Sequence, residues 1–121
     1  EGHDDADVAR TRRAELDKAC ELLGVTHLEM LGYRDSGMAD WEYQGHTDAF
    51  CKVPLDTGAD RLLALFERYR PNVVITYANS GGGYNHPDHV HAHAITTEIT
   101  RRTVISPLIR SRSSKPYGAA S

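Results

Sequence analysis

Val73-Val74-Ile75-Thr76, followed by Gly81-Gly82-Gly83-Tyr84-Asn85-His86-Pro87-Asp88-His89-Val90-His91-Ala92-His93, decides the fold class of this chain of 121 residues. The first four residues are all β-branched, which suits a strand buried in a parallel sheet. Three glycines then open a loop. Pro87 and Asp88 suit the first turn of a helix, where a missing N–H costs nothing and a carboxylate meets the positive end of the helix dipole. Strand, loop and helix start in that order predict an α/β fold. In such folds ligands gather beyond the carboxyl ends of the strands. Four of the seven histidines fall within eight positions here.

Outward from this segment, the pattern alternates. Residues 57–69 read as a helix with Ala59, Leu62, Leu63, Phe66 and Tyr69 inward, and Pro71 stops it. Residues 88–102 read as another helix, weakened by the β-branched run at 95–97. Residues 8–23 read as a third, with Val8, Arg12, Leu16, Ala19, Cys20 and Leu23 on one face. Asp7 would cap it and Gly24 would end it. Residues 27–31 alternate like a short strand, and residues 73–77 are expected to form a buried parallel strand. Residues 32–56 read as a long loop, a length often tied to function. Helices alternating with short apolar strands imply layers around a parallel sheet.

Composition sets limits. The chain is 40 % apolar with a net charge of −3. That charge carries no electrostatic footprint for nucleic acid. No run is apolar and long enough to be a membrane segment. Two cysteines do not make a disulfide framework, so a reduced, cytoplasmic setting is expected. Residues 103–121 are basic, polar and aperiodic, and read as a divergent or disordered tail.

The histidines can be read two ways. On a helix starting at Pro87, His89 and His93 share one face, His91 points elsewhere, and His86 lies just outside. A catalytic zinc usually takes three protein ligands plus water, and Asp88 could orient an imidazole. Surface histidines around a capped helix would give the same spacing. Gly81 to Gly83 could equally be a flexible loop or a place of close backbone approach. The segment 34–35 could be a simple exposed Arg34–Asp35 pair, and Trp41, Tyr43 and Phe50 could pack the long loop onto the core. His27 and His46 read as surface residues.

Three ordered segments resemble one family. Thr76-Tyr77 with Gly82-Gly83-Tyr84-Asn85-His86-Pro87-Asp88-His89 is similar to the second signature of the LmbE-like (PIG-L) zinc-dependent N-deacetylases. Leu31-Gly32-Tyr33-Arg34-Asp35-Ser36-Gly37-Met38 resembles its Arg-Asp-Ser-Gly-Met loop, above all in the branch that serves mycothiol metabolism. Arg12-Arg13-Ala14-Glu15-Leu16, running to Leu22-Leu23-Gly24-Val25, resembles the family's helix before its third strand.

The resemblance implies a partial Rossmann-like parallel sheet flanked by helices, in an incomplete deacetylase domain over residues 1–102. It implies hydrolysis of an N-acetyl group on a small-molecule amino sugar or its conjugate. His89 would be a Zn2+ ligand. His86 would stabilise the oxyanion and act as general acid, held by a hydrogen bond to Asp88. Tyr84 would be a mobile pocket residue polarising the amide carbonyl. Asp35, Met38 and Arg34 would lie on the substrate side. The family's first signature, His-Pro-Asp-Asp-Glu, is not found, and Gly2-His3-Asp4-Asp5 is not a substitute for it. The first strand and the other zinc ligands are therefore expected on a missing N-terminal segment, with the chain alone inactive. The alternative is a non-catalytic fragment binding metal weakly through His86, His89 and His93.

Overall fold

The computed structural model of the chain describes residues 5–37 and 49–105. They belong to two units, one ending at Met30 and the other beginning at Leu31. The first holds α1 (Asp5–Leu23). Asp7 lies inside this helix and pairs with Arg10, so it is not the expected cap. Arg12–Glu15, Arg13–Asp17 and Lys18–Glu21 continue the ladder of exposed pairs one turn apart. Each such pair adds only about 0.2–0.5 kcal/mol to a helix. Gly24 ends α1 as the sequence predicts. Its φ of 74° lets its N–H reach the Glu21 carbonyl at 3.2 Å while the Val25 N–H reaches that of Cys20 at 2.9 Å. This is the paired closure that glycine permits after a helix.

The second unit is built on α2 (Leu55–Tyr69) and α3 (Pro87–Ile105). Ala59, Ile95 and Ile99 form its buried centre, with Phe50, Leu62, Leu63 and Phe66 packed around them. The two helices approach closely at Gly58, where an added Cβ would sit 2.5 Å from Ile95 Cδ1. α3 runs through the β-branched stretch and beyond the expected boundary at 102. Burial of Ile95 and Ile99 outweighs their weak propensity, since each apolar side chain removed from water contributes about 1.5–3 kcal/mol. Threonines beside them satisfy their hydroxyls along the helix: Thr96 donates to the Ala92 carbonyl and Thr100 to that of Thr96. Arg70 closes α2 in the left-handed conformation, its N–H on the Phe66 carbonyl at 2.8 Å.

An ionic cluster fastens the far end of this pair. Arg102 of α3 reaches Asp60 at 2.6 Å and Asp56 at 2.7 Å on α2, and Glu98 at 3.1 Å on its own helix. Hydrogen bonds from Arg101 and then Arg102 hold the Glu98 carboxyl at about 2, below its ordinary 4.5. A depressed carboxylate stabilises the fold above its unfolded pKa and loses that contribution as pH falls through the folded value. The difference in urea midpoint between the wild type and Glu98→Gln is therefore expected to be full above pH ~4.5 and to close towards pH ~2. A difference that does not change between pH 5 and pH 2 would contradict this coupling.

The expected sheet is not present among the described residues. Residues 27–31 and 73–77 form no strand, and the pairing seen is a single parallel bridge between Arg34 and Ala49. Val73 is 77 % and Ile75 92 % exposed. A parallel strand makes its hydrogen bonds only to neighbouring strands, and no described segment supplies one to residues 73–77. The long loop contains a short 3-10 turn at Phe50–Lys52. Met38, Trp41, Tyr43, His46, His3, Asp4 and the tail beyond Ile105 lie outside the described residues. No described helix is long and apolar enough to cross a membrane.

Candidate functional site

The glycine loop is shaped by close approach. Gly81, Gly82 and Gly83 have φ of 68°, 85° and 98°, values that disfavour any side chain. Gly81 is buried, and a Cβ there would lie 2.8 Å from Val90 Cγ2 and 3.1 Å from the His86 backbone. The loop thus folds tightly onto the first turn of α3. Asn85, at φ 55°, ends it in the left-handed region that asparagine tolerates.

This turn assembles the imidazoles. His89 Nδ1 lies 3.2 Å from the Gly81 carbonyl oxygen. A carbonyl can only accept, so Nδ1 carries a proton, and in the neutral ring the lone pair is then on Nε2. That is the tautomer a metal ligand needs, and a backbone carbonyl is a usual partner for fixing it. The Tyr77 ring stacks on His89 at 3.9 Å with planes 4° apart. His86 stacks on it at 4.7 Å, and the exposed Tyr84 meets it edge-on at 5.8 Å. His86 Nδ1 accepts the Asp88 backbone N–H at 3.2 Å. The neutral His86 ring then carries its proton on Nε2, away from the backbone.

Asp88 is placed differently from the expectation. Its carboxylate engages Ser36: Oδ2 accepts the Ser36 N–H at 3.0 Å and Oδ1 accepts the Ser36 hydroxyl. The bond observed between Asp88 and His86 is the backbone one, because the side chain at the second position of the helix points towards the 34–37 loop. Asp35 turns its carboxylate onto the Gly37 N–H at 2.6 Å. Arg34 accepts the Phe50 N–H through its carbonyl at 2.8 Å.

The other two histidines take structural positions. His93 Nδ1 is 2.7 Å from the Tyr77 carbonyl oxygen, and its Nε2 is 3.4 Å from Thr97 Oγ1. Both nitrogens of His93 thus have partners, one on the Tyr77 backbone and one on its own helix. Among the described residues no group of three His, Cys, Asp or Glu could hold a metal ion. His91 turns inward against Phe50, with ring centroids 5.0 Å apart. His89 and His93 together grip Tyr77, one on its ring and the other on its carbonyl. Tyr77 and Ser36 were not foreseen as site residues. Both lie in the quoted motif segments, which is the one signal that pointed to them.

Comparison with known proteins gives the family of the chain. The family model described as GlcNAc-PI de-N-acetylase, PIG-L, matches residues 1–100. A 1D-myo-inositol 2-acetamido-2-deoxy-alpha-D-glucopyranoside deacetylase of Acidothermus cellulolyticus is 45 % identical over 96 residues, covering 76 % of this chain and 32 % of the relative. The protein of the same name from Actinosynnema mirum is 41 % identical over 109 residues, covering 86 % and 38 %. That from Streptomyces avermitilis is 37 % identical over 113 residues, covering 90 % and 38 %. The chain spans about a third of the length of the curated relatives it matches. A family match over residues 1–100, most of the chain, means that this chain belongs to the PIG-L family of de-N-acetylases, whose fold is α/β.

Proposed function

We propose that the chain forms part of a zinc-dependent N-deacetylase acting on an N-acetylated amino sugar or its conjugate. The observation that carries this reading is the His89 ring, with Nδ1 satisfied by Gly81, Nε2 left to coordinate, and His86 stacked beside it. One imidazole of the right tautomer fits a zinc ion. The remaining ligands lie outside the described residues, because a catalytic zinc takes about three protein ligands. When bound, the zinc supplies Lewis-acid chemistry, polarising the acetyl carbonyl and acidifying a water.

The chain's own residues do the rest. His86 presents its Nε2 proton to the oxygen on which charge develops and passes it to the departing amine, while the proton lost by the attacking water, taken up by a base outside the described residues, returns to the His86 ring. The amide C–N bond breaks, a C–O bond from water forms, and acetate and a free amine result. Tyr84, exposed at the rim, closes on the carbonyl side. Arg34, Asp35 and Met38 contact the sugar. Beside further strands, residues 73–77 would become an inner strand of a Rossmann-like parallel sheet; the support is their apolar, β-branched character and the exposure of Val73 and Ile75 here. The 121 residues alone hold zinc weakly and turn over slowly or not at all. Measurable turnover by this chain would place the missing ligands within it.

Two variants test the assignment in a preparation that hydrolyses an N-acetylglucosamine conjugate. His86→Ala is expected to lower turnover by about 10²–10⁴-fold, the usual weight of an acid–base group, with zinc retained. His89→Ala is expected to lose the zinc itself. Stoichiometric zinc in purified His89→Ala would sink the reading.

A further inference from the structure

We propose that Ser36 is a positioning residue that ties the Asp35 loop to the His86–His89 turn, so that the substrate side and the proton-transfer side move as one body. The functional meaning of this tie rests on the deacetylase reading above. Ser36 is 0 % exposed and is the buried polar side chain of the described residues. Its N–H and hydroxyl both donate to the Asp88 carboxylate, 52 positions away. Its Oγ in turn accepts the Cys51 N–H at 2.9 Å. Asp88 then meets His86 Nδ1 with its backbone N–H, and the Val90 N–H closes on the His86 carbonyl at 3.0 Å.

The result is one continuous chain of bonds: Cys51 N–H to Ser36 Oγ, Ser36 to Asp88, and Asp88 to His86. A hydroxyl is required at its centre, since the group must donate to a carboxylate and accept from an amide at once. An apolar residue of similar size could fill the volume and make neither bond. Buried polar links of this kind specify one arrangement where packing alone would allow several. Asp35, next to Ser36, is fixed by the same loop through its own bond to Gly37. The spacing between the Asp35 carboxylate and the His86 ring is thus set by Ser36, although Ser36 touches neither reacting group.

Nuclear magnetic resonance on the labelled chain tests this. Ser36→Ala is expected to speed amide exchange at Cys51 about tenfold or more, as loss of one buried hydrogen bond would. The cross-relaxation between the His86 and His89 rings is expected to fall by about half or more, while exchange at Ile99 stays within about twofold. Asp88→Asn, which keeps an oxygen for the Ser36 N–H, is expected to retain most of the ring contact. Unchanged ring contact in Ser36→Ala would overturn the proposal. So would equal acceleration at Cys51 and Ile99, which would make Ser36 an ordinary part of the core. If the tie behaves as expected while His89→Ala keeps its zinc, the deacetylase reading fails and the structural tie stands.

Discussion

Asp88→Ala is expected to destabilise the second unit by about 3 kcal/mol, because it leaves buried donors on Ser36 without their acceptor. Hydrogen bonds to charged groups contribute about 1.5–3 kcal/mol each, and a buried donor left unmet adds its own desolvation cost. Ser36 has no exposure through which water could replace the carboxylate. The substitution also removes the acidic residue from the first turn of α3, at about 0.3–1 kcal/mol. For a domain of this size about 3 kcal/mol lowers the melting temperature by roughly 12–24 °C. Asp88→Asn is expected to fall between the two. A residue serving only to orient His86 would behave differently, since its loss would slow turnover and leave the melt nearly unchanged. Thermal denaturation of Asp88→Ala therefore separates the two roles, and a melting temperature within ~2 °C of wild type would refute the structural one.

Ile99→Ala is expected to cost about 2–5 kcal/mol. Ile99 is fully buried and packs with Ala59 and Ile95 in the buried cluster between α2 and α3. The cavity would collapse poorly. α3 is held at one end by Asp88 on Ser36 and at the other by Arg102 on Asp56 and Asp60. A helix fixed at both ends cannot shift to fill the space, which places the cost towards the upper part of that range. Ile75→Ala removes the same atoms from a side chain that is 92 % exposed. In this chain it is expected to stay within about ±0.5 kcal/mol, as surface substitutions do. Urea denaturation of the two variants side by side reads the difference directly. A loss below ~1 kcal/mol for Ile99→Ala would mean that the α2–α3 pair is not the stabilising element.

Much of the local structure was legible in the chain itself. Gly24 ends α1 and Pro71 follows the end of α2 as predicted, because glycine and proline act through backbone sterics that need no partner. The core face of α2 followed from apolar spacing. Helix starts were less legible: Asp7 and Thr57 look like starting points, yet both helices begin two residues earlier. Neighbouring residues paired or packed in ways that spacing alone does not encode. The strands were the largest departure. A strand is stabilised across the chain by its neighbours, so residues 73–77 can have the composition of a buried strand and still lie exposed where no neighbour is described.

The histidine turn shows the same division. Its motif pointed to the family and to the candidacy of His86, Asp88 and His89, because these depend on residue type and short spacing. Tertiary structure alone decided that His93 clamps the Tyr77 carbonyl, that His91 faces Phe50, and that the Asp88 carboxylate belongs to Ser36. Each of those outcomes depends on which distant group lies within about 3 Å, the range over which a hydrogen bond forms. Local spacing says which way a side chain leaves its helix. Only the packed chain says what it meets.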